Sequence, residues 1–191
     1  LYAVRLDRAL DEAETAALAH FLPSERKVRS DRSAHTAETL CAYALLRRAL
    51  HDRYGGEKLP EISRGAHGKP YLAAYPDLCF SLSHSHGAVL LAVHDHSIGA
   101  DIERLRPVSE QMRARFQASD DVSFWQLWVQ RESRCKRRGI SAVSMRYGEM
   151  PVVPNERVFV FSPFSDSLAG ICTDSNAETD KLIRLTVDDL I

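Results

Sequence analysis

The stretch Ile98-Gly99-Ala100-Asp101-Ile102-Glu103 places two carboxylates two residues apart in a segment that alternates polar and apolar side chains. Because side chains alternate across a β-strand, the pattern predicts a short strand with Asp101 and Glu103 on one face. Neighbouring carboxylates repel each other unless a cation lies between them, and Mg²⁺ prefers such oxygen ligands. The stretch therefore indicates a magnesium site, although a solvated face of an edge strand would have the same pattern.

The overall composition is that of an ordinary soluble globular protein, with 45% hydrophobic and 27% charged residues. The length of 191 residues allows one large core or two small subdomains. A net charge of −1 lacks the basic excess of nucleic-acid-binding proteins, and no apolar run is long enough to span a membrane. We therefore expect neither nucleic acid nor a membrane as a partner.

The four cysteines are scattered along the chain, and no two of them form a Cys-x-x-Cys pair. This spacing argues against a zinc ribbon and against a disulfide framework. Unpaired cysteines are typical of reducing compartments, so we expect a cytoplasmic protein. The four are Cys41, Cys79, Cys135 and Cys172.

Hydrophobic periodicity predicts two long helices, one over 37–54 that ends at Gly55 and one over 122–138 that ends at Gly139. Asp11 is a candidate N-cap for a shorter helix that reaches residue 20. We place a boundary near residue 98, which gives subdomains 1–98 and 99–191 that meet around the acid pair. Strands are predicted at 1–8, 80–85, 89–93, 142–147, 157–161, 167–172 and 182–185.

The second long helix carries an acid within an aromatic stripe. Trp125, Trp128 and Glu132 fall at three- and four-residue steps, and an acid on an apolar face is costly unless it is paired or binds a metal. Lys136, four residues later, offers Glu132 a salt bridge worth only a few tenths of a kcal/mol. A metal is the alternative explanation for the position of Glu132.

Basic and histidine clusters leave two further alternatives open. The run from Arg26 to Arg32 is either a solvated helix face or a set of cations that chelates phosphate. His84, following Ser83 at the end of a predicted strand, could donate to a phosphate. The two His-x-His pairs suit either polar loops or a transition metal, and they comprise His84, His86, His94 and His96.

Taken together, these stretches resemble the 4′-phosphopantetheinyl transferases, particularly the larger, monomeric type with two similar halves. The resemblance rests on four stretches that follow one another along the chain: Gly68-Lys69-Pro70, 80–85, 99–103 and 128–136. The chain departs from the usual family pattern at Thr36, Val129 and Arg131.

The resemblance implies an α+β fold of two similar subdomains related by a pseudo-twofold axis, each a small, mostly antiparallel sheet packed on a long helix. It implies an enzyme that moves the 4′-phosphopantetheine arm of coenzyme A onto a serine of an apo acyl or peptidyl carrier protein. Mg²⁺ would be the cofactor, and adenosine 3′,5′-bisphosphate would be released. The alternatives are another Mg²⁺-dependent nucleotide phosphotransferase or hydrolase, and a non-catalytic module that binds coenzyme A or a carrier protein.

The resemblance also implies roles for individual residues. Asp101, Glu103 and Glu132 would bind the metal, and Glu132 would also act as the base for the carrier serine. Lys136 would contact the pyrophosphate and assist the leaving group. Arg26 and Arg29 would meet the 3′-phosphate, Lys69 and Pro70 would line the nucleotide site, and Ser83, His84, Asp101 and Lys136 would complete the coenzyme A contacts.

Overall fold

The computed structural model describes residues 1–22, 34–65, 67–140, 153–174 and 181–191. The helices in these ranges are α1 (Glu12–Ala19), α2 (Ala34–Tyr54), α3 (Glu110–Phe116) and α4 (Asp121–Arg138). The strands are β1 (Tyr2–Arg5), β2 (Ile62–Arg64), β3 (Pro70–Leu72), β4 (Cys79–Ser85), β5 (Ala88–His94), β6 (Gly99–Arg104), β7 (Glu156–Phe161), β8 (Ser167–Asp174) and β9 (Ile183–Leu185).

Two sheets form the framework, and each packs on one of the long helices. The first has the strand order β4-β5-β1-β9 and contacts α2, and the second has the order β6-β8-β7 and contacts α4. Neighbouring strands run antiparallel except for β1 and β9, which are parallel. The α+β class is therefore confirmed, while the twofold relation and the division at residue 98 stay predictions. Strand β9 brings the end of the described chain back into the first sheet.

The helix ends follow the capping residues that the sequence predicts. Asp11 accepts a hydrogen bond from the Glu14 backbone at 2.8 Å, and the Glu14 side chain accepts one from Asp11 in return, which forms a capping box. Gly139 ends α4 with a φ of 66°, a conformation that favours glycine. None of the helices in the described ranges is long and apolar enough to cross a bilayer.

The alternation of strand β6 decides which way its acids face. Ala100 and Ile102 are fully buried in a core that joins the two sheets. Since neighbouring side chains of a strand point to opposite faces, Asp101 and Glu103 lie on the other face. The predicted strand and its two-faced pattern are confirmed. The remaining buried members of this core are Ala3, Ala88, Leu90, Ala92, Ile98, Ala169 and Ile171.

Helix α4 lies unusually close to β6 and β8 because both strands carry glycine beneath it. A Cβ atom at Gly99 would lie 2.0 Å from the carbonyl oxygen of Ser133 and 2.3 Å from the backbone nitrogen of Arg137. A Cβ at Gly170 would lie 2.5 Å from the carbonyl oxygen of Val129. Any side chain at these positions would push the helix away from the sheet, so the glycines bring the side chains of α4 within reach of the β6 acids.

We expect Gly99→Ala to lower the free energy of unfolding by about 1–3 kcal/mol, since the methyl group forces the helix backbone off the strand. Gly56→Ala is the matched control, because its Cβ would meet the Tyr75 hydroxyl at an ordinary 3.6 Å. Urea unfolding followed by circular dichroism measures both variants. Equal unfolding midpoints for the two would contradict the close-approach argument.

Candidate active site at the junction of the two sheets

Serine side chains of β4 connect it to β6, so that the edge strands of the two sheets are joined. The Ser81 hydroxyl oxygen accepts a hydrogen bond from the Ala100 backbone N–H at 2.9 Å, and the Ser83 hydroxyl accepts one from Ile102 at 3.2 Å. Both serines are buried. Ser81 and Ser83 lie on the same face of β4, and their hydroxyls satisfy backbone donors at the edge of the second sheet.

Asp101 lies at the centre of this junction and is only 4% exposed. Its Oδ1 atom is 2.7 Å from the Lys136 ammonium nitrogen and accepts a hydrogen bond from Ser83 at 2.9 Å. The same ammonium donates to the Ser83 hydroxyl at 2.7 Å. Sequence motifs 35 residues apart therefore meet at one carboxylate.

The second oxygen of Asp101, Oδ2, is buried and has no hydrogen-bond partner among the described residues. An unsatisfied carboxylate oxygen is costly inside a protein, and a bound cation would remove that cost. Carboxylate oxygens are also the ligands that Mg²⁺ prefers. The observed environment of Asp101 therefore fits the predicted metal ligand.

Glu103 is held beside Asp101 by two donors that both reach its Oε2 atom. Ser85 donates at 2.6 Å, and Arg106 donates at 3.1 Å. The guanidinium of Arg106 also lies 4.1 Å from the ring centre of Trp125, whose indole N–H donates to the Arg106 carbonyl at 2.9 Å. Sequence reasoning missed Arg106, although a cation three residues after Glu103 was a usable signal.

Glu132 is half-buried on α4, one turn before Lys136. Burial raises the pKa of the Cys135 thiol, and the negative charges of Glu132 and Asp101 raise it further. The role of Glu132 as a third metal ligand stays a prediction.

Lys69 lies at the junction, where it binds the backbone next to β6 and at the end of α4. Its ammonium donates to the carbonyl oxygens of Ile98 at 2.9 Å and Arg137 at 3.0 Å. Burial lowers the pKa of Lys69. A cation at the carboxyl end of a helix satisfies carbonyls that lack helical partners, so Lys69 ties the end of α4 to the start of β6. Its contact with a nucleotide, like that of the half-buried Pro70, stays a prediction.

His84 pairs with Glu38, an acid that sequence reasoning missed. The Glu38 Oε2 atom is 2.8 Å from the Nδ1 atom of His84, and its Oε1 atom accepts the backbone N–H of Gly87 at 2.5 Å. Burial by itself raises the pKa of Glu38, but the hydrogen bonds from His84 and Gly87, together with the charges of His84 and His35, hold the pKa below its usual value. The available signal was an acid on a helix that is otherwise largely apolar on its buried face.

Together with His35, this pair forms a second group of side chains that could bind a metal ion. Donor atoms of His35, Glu38 and His84 lie within 4.8 Å of one another, and this set of types can bind Zn²⁺. Both Glu38 oxygens already accept hydrogen bonds, however, whereas Asp101 retains an unsatisfied oxygen. The strand acids are therefore the better cation site.

Two predicted coenzyme A contacts, Arg26 and Arg29, lie outside the described residues. Among the remaining predicted site residues, the structure brings Ser83, Asp101 and Lys136 into direct contact, and Glu103 lies on the same strand face as Asp101. Glu132 lies one turn before Lys136 on α4, and Pro70 begins β3. Lys69 binds backbone carbonyls at the start of β6 and the end of α4, whereas His84 pairs with Glu38 near the end of β4.

Comparison with known proteins defines the class to which this α+β fold and acid-rich junction belong. No family model matches the chain. The 4′-phosphopantetheinyl transferase ffp of Bacillus subtilis is 29% identical over 156 residues, and a second B. subtilis 4′-phosphopantetheinyl transferase is 31% identical over 157 residues. Each alignment covers 73% of this chain and 70% of the relative. The 4′-phosphopantetheinyl transferase AcpT of Salmonella typhimurium is 31% identical over 137 residues, which are 63% of this chain and 68% of that relative.

These similarities place the protein among the transferases. The chain belongs to the 4′-phosphopantetheinyl transferase family, and it is an enzyme of that type. The resemblance that the four sequence motifs predict is thereby confirmed.

We expect Ser81→Ala to lower the free energy of unfolding by about 1–3 kcal/mol, because the buried Ala100 N–H would lose its acceptor. The exposed Ser165→Ala is the matched control. Chemical denaturation measures both. If Ser81→Ala is as stable as the control, the serine connection between the sheets does not stabilise the fold.

Proposed function

We propose that this enzyme transfers the 4′-phosphopantetheine arm of coenzyme A to a serine of an apo acyl or peptidyl carrier protein, with Mg²⁺ as cofactor. The observation that supports this most directly is the group formed by Asp101, Lys136 and Ser83. It combines a buried acid that has one unsatisfied oxygen with a cation on its other oxygen. Phosphoryl transfer requires neutralised charge and accurate positioning more than covalent help from the protein.

Asp101, Glu103 and Glu132 would hold the Mg²⁺ ion. When bound, the ion would neutralise charge on the pyrophosphate of coenzyme A. The unsatisfied Asp101 Oδ2 atom supports this assignment, as does the position of Glu103 on the same strand face. Ser85 and Arg106 fix the Glu103 carboxylate through Oε2, and within the described chain neither of them contacts Oε1.

Glu132 accepts the proton of the carrier serine, directly or through a water molecule. The serine oxygen forms a bond to the phosphorus that bears the pantetheine arm, and the bond from that phosphorus to the bridging pyrophosphate oxygen breaks. Adenosine 3′,5′-bisphosphate leaves with the electron pair. Lys136 provides a positive charge beside the acids, and it stabilises the negative charge that develops on the leaving oxygen.

The coenzyme A contacts follow from the same proposal. His84 meets a phosphate, Lys69 and Pro70 line the nucleotide site, and Arg26 and Arg29 meet the 3′-phosphate. The Ser83 hydroxyl already bonds with Asp101, Lys136 and Ile102, so it contacts a phosphate only when one of these bonds is exchanged. We extend the proposal to a monomeric, cytoplasmic enzyme that works without nucleic acid or a membrane.

Incubation with coenzyme A, Mg²⁺ and an apo carrier protein tests the proposal. We expect the carrier to gain the mass of one phosphopantetheine arm, and we expect no gain when a chelator removes Mg²⁺. Glu132→Gln removes the base and should lower the rate roughly 10²–10⁴-fold. Asp101→Asn should also nearly abolish transfer, because it weakens the metal site.

Asp77→Asn, a substitution of an exposed acid outside the junction, is the control and should keep the parental rate. Two results would contradict the proposal. Nucleotide turnover without a mass gain would indicate a hydrolase or another phosphotransferase. Binding of coenzyme A or of the carrier without any transfer by the parent protein would indicate a non-catalytic module.

A further inference from the structure

Glu38 is a buried acid whose two carboxylate oxygens have different partners. It is 5% exposed, and it binds the ring of His84 through Oε2 and the backbone of Gly87 through Oε1. Gly87 belongs to the tight turn that joins β4 to β5, where His86 and Gly87 have φ values of 48° and 84°. Glu38 therefore binds both the His84 imidazole and the backbone of the turn that directly follows His84.

The His84 ring extends from this buried acid towards the surface. The side chain of His84 is 26% exposed, whereas that of Glu38 is 7% exposed. Because Nδ1 is occupied by Glu38, Nε2 is the ring nitrogen left for a ligand. A protonated imidazole donates from both nitrogens, so one ring can bind Glu38 and an anion together.

A second imidazole lies beside the first. His35 is three residues before Glu38 on α2, a spacing that puts both on one face of the helix, and its ring centre is 5.0 Å from that of His84. His35 is exposed. Two imidazoles beside a single carboxylate carry a net positive charge when both are protonated, which suits a phosphate.

We propose that Glu38 is the positioning residue of the coenzyme A phosphate site: it holds His84 through Nδ1, so that Nε2 faces a phosphate oxygen. This inference rests on the proposed function, in which His84 contacts a phosphate of coenzyme A. It adds a residue that lies outside the four motifs and touches neither the acids of β6 nor the residues of α4 that carry the chemistry.

Glu38→Gln is a sharp test because Gly87 decides how the new amide is oriented. The Gly87 N–H needs an acceptor, so the amide oxygen must face Gly87 and the amide N–H₂ must face Nδ1 of His84. An N–H group facing Nδ1 is incompatible with a protonated ring, since two donors would then oppose each other. The variant keeps the shape of the site while it changes the protonation of the imidazole.

We expect the KM for coenzyme A to rise roughly tenfold in Glu38→Gln, the loss expected for a charge-assisted hydrogen bond. The kcat and the KM for the carrier protein should stay at parental values. Nitrogen chemical shifts of the His84 ring should show a proton on Nδ1 in the parent and none there in the variant. Repeating the KM measurement with dephospho-coenzyme A identifies the phosphate: the effect disappears if His84 meets the 3′-phosphate and persists if it meets the pyrophosphate.

Glu14→Gln is the matched control, since Glu14 is another buried helix glutamate but its partners are Arg8 and Asp11. It should leave the KM for coenzyme A unchanged. Normal transfer with an unchanged KM in Glu38→Gln would overturn the inference and leave the proposed function intact. Absence of transfer by the parent protein would instead overturn the proposed function.

A measurement on the parent protein keeps the inference testable if Glu38→Gln does not fold. Addition of coenzyme A should shift the Nε2 resonance of His84 while the hydrogen-bonded Nδ1 proton is retained. If coenzyme A is transferred normally but leaves the Nε2 resonance unshifted, Glu38 does not orient His84 towards the substrate.

Discussion

The ion pair between Asp101 and Lys136 is the contact on which the rest of this site depends. A carboxylate that is nearly inaccessible to solvent needs a partner, and the Lys136 ammonium supplies one at 2.7 Å. The pair forms only because α4 lies against glycine on β6, which brings the helix backbone close to the strand. Lys69 reinforces this placement, because its ammonium binds the Ile98 carbonyl just before β6 and the Arg137 carbonyl near the end of α4.

The junction also explains how two sheets with separate helices can build one site. The second sheet and α4 supply the acids and Lys136, while the first sheet and α2 supply Ser83, His84 and Glu38. The serines of β4 connect these halves, since their hydroxyls accept from the backbone of β6. Within the proposed mechanism, the metal and base come from one half and a phosphate contact comes from the other.

Local patterns predicted much of this arrangement. The alternation of β6, the capping residue Asp11 and the terminating Gly139 were all visible in the sequence, because each depends on neighbouring residues. Glu38 was missed for the opposite reason, because its partner His84 is 46 residues away in the sequence and no periodicity encodes so distant a partner. Arg106 is different: its ion pair with Glu103, three residues earlier, was visible locally, and only its stacking on Trp125 needed the tertiary structure.

The sequence by itself determined that Asp101 and Glu103 share a strand face, that Glu132 and Lys136 are one helical turn apart, and that the motifs resemble one enzyme family. Only the tertiary structure decided that Lys136 contacts Asp101, that Ser83 contacts both of them and that Glu38 holds His84. The physical reason is that strand and helix periodicity fix directions within one element. Distances between elements depend on how closely their backbones pack, and here glycine sets that distance.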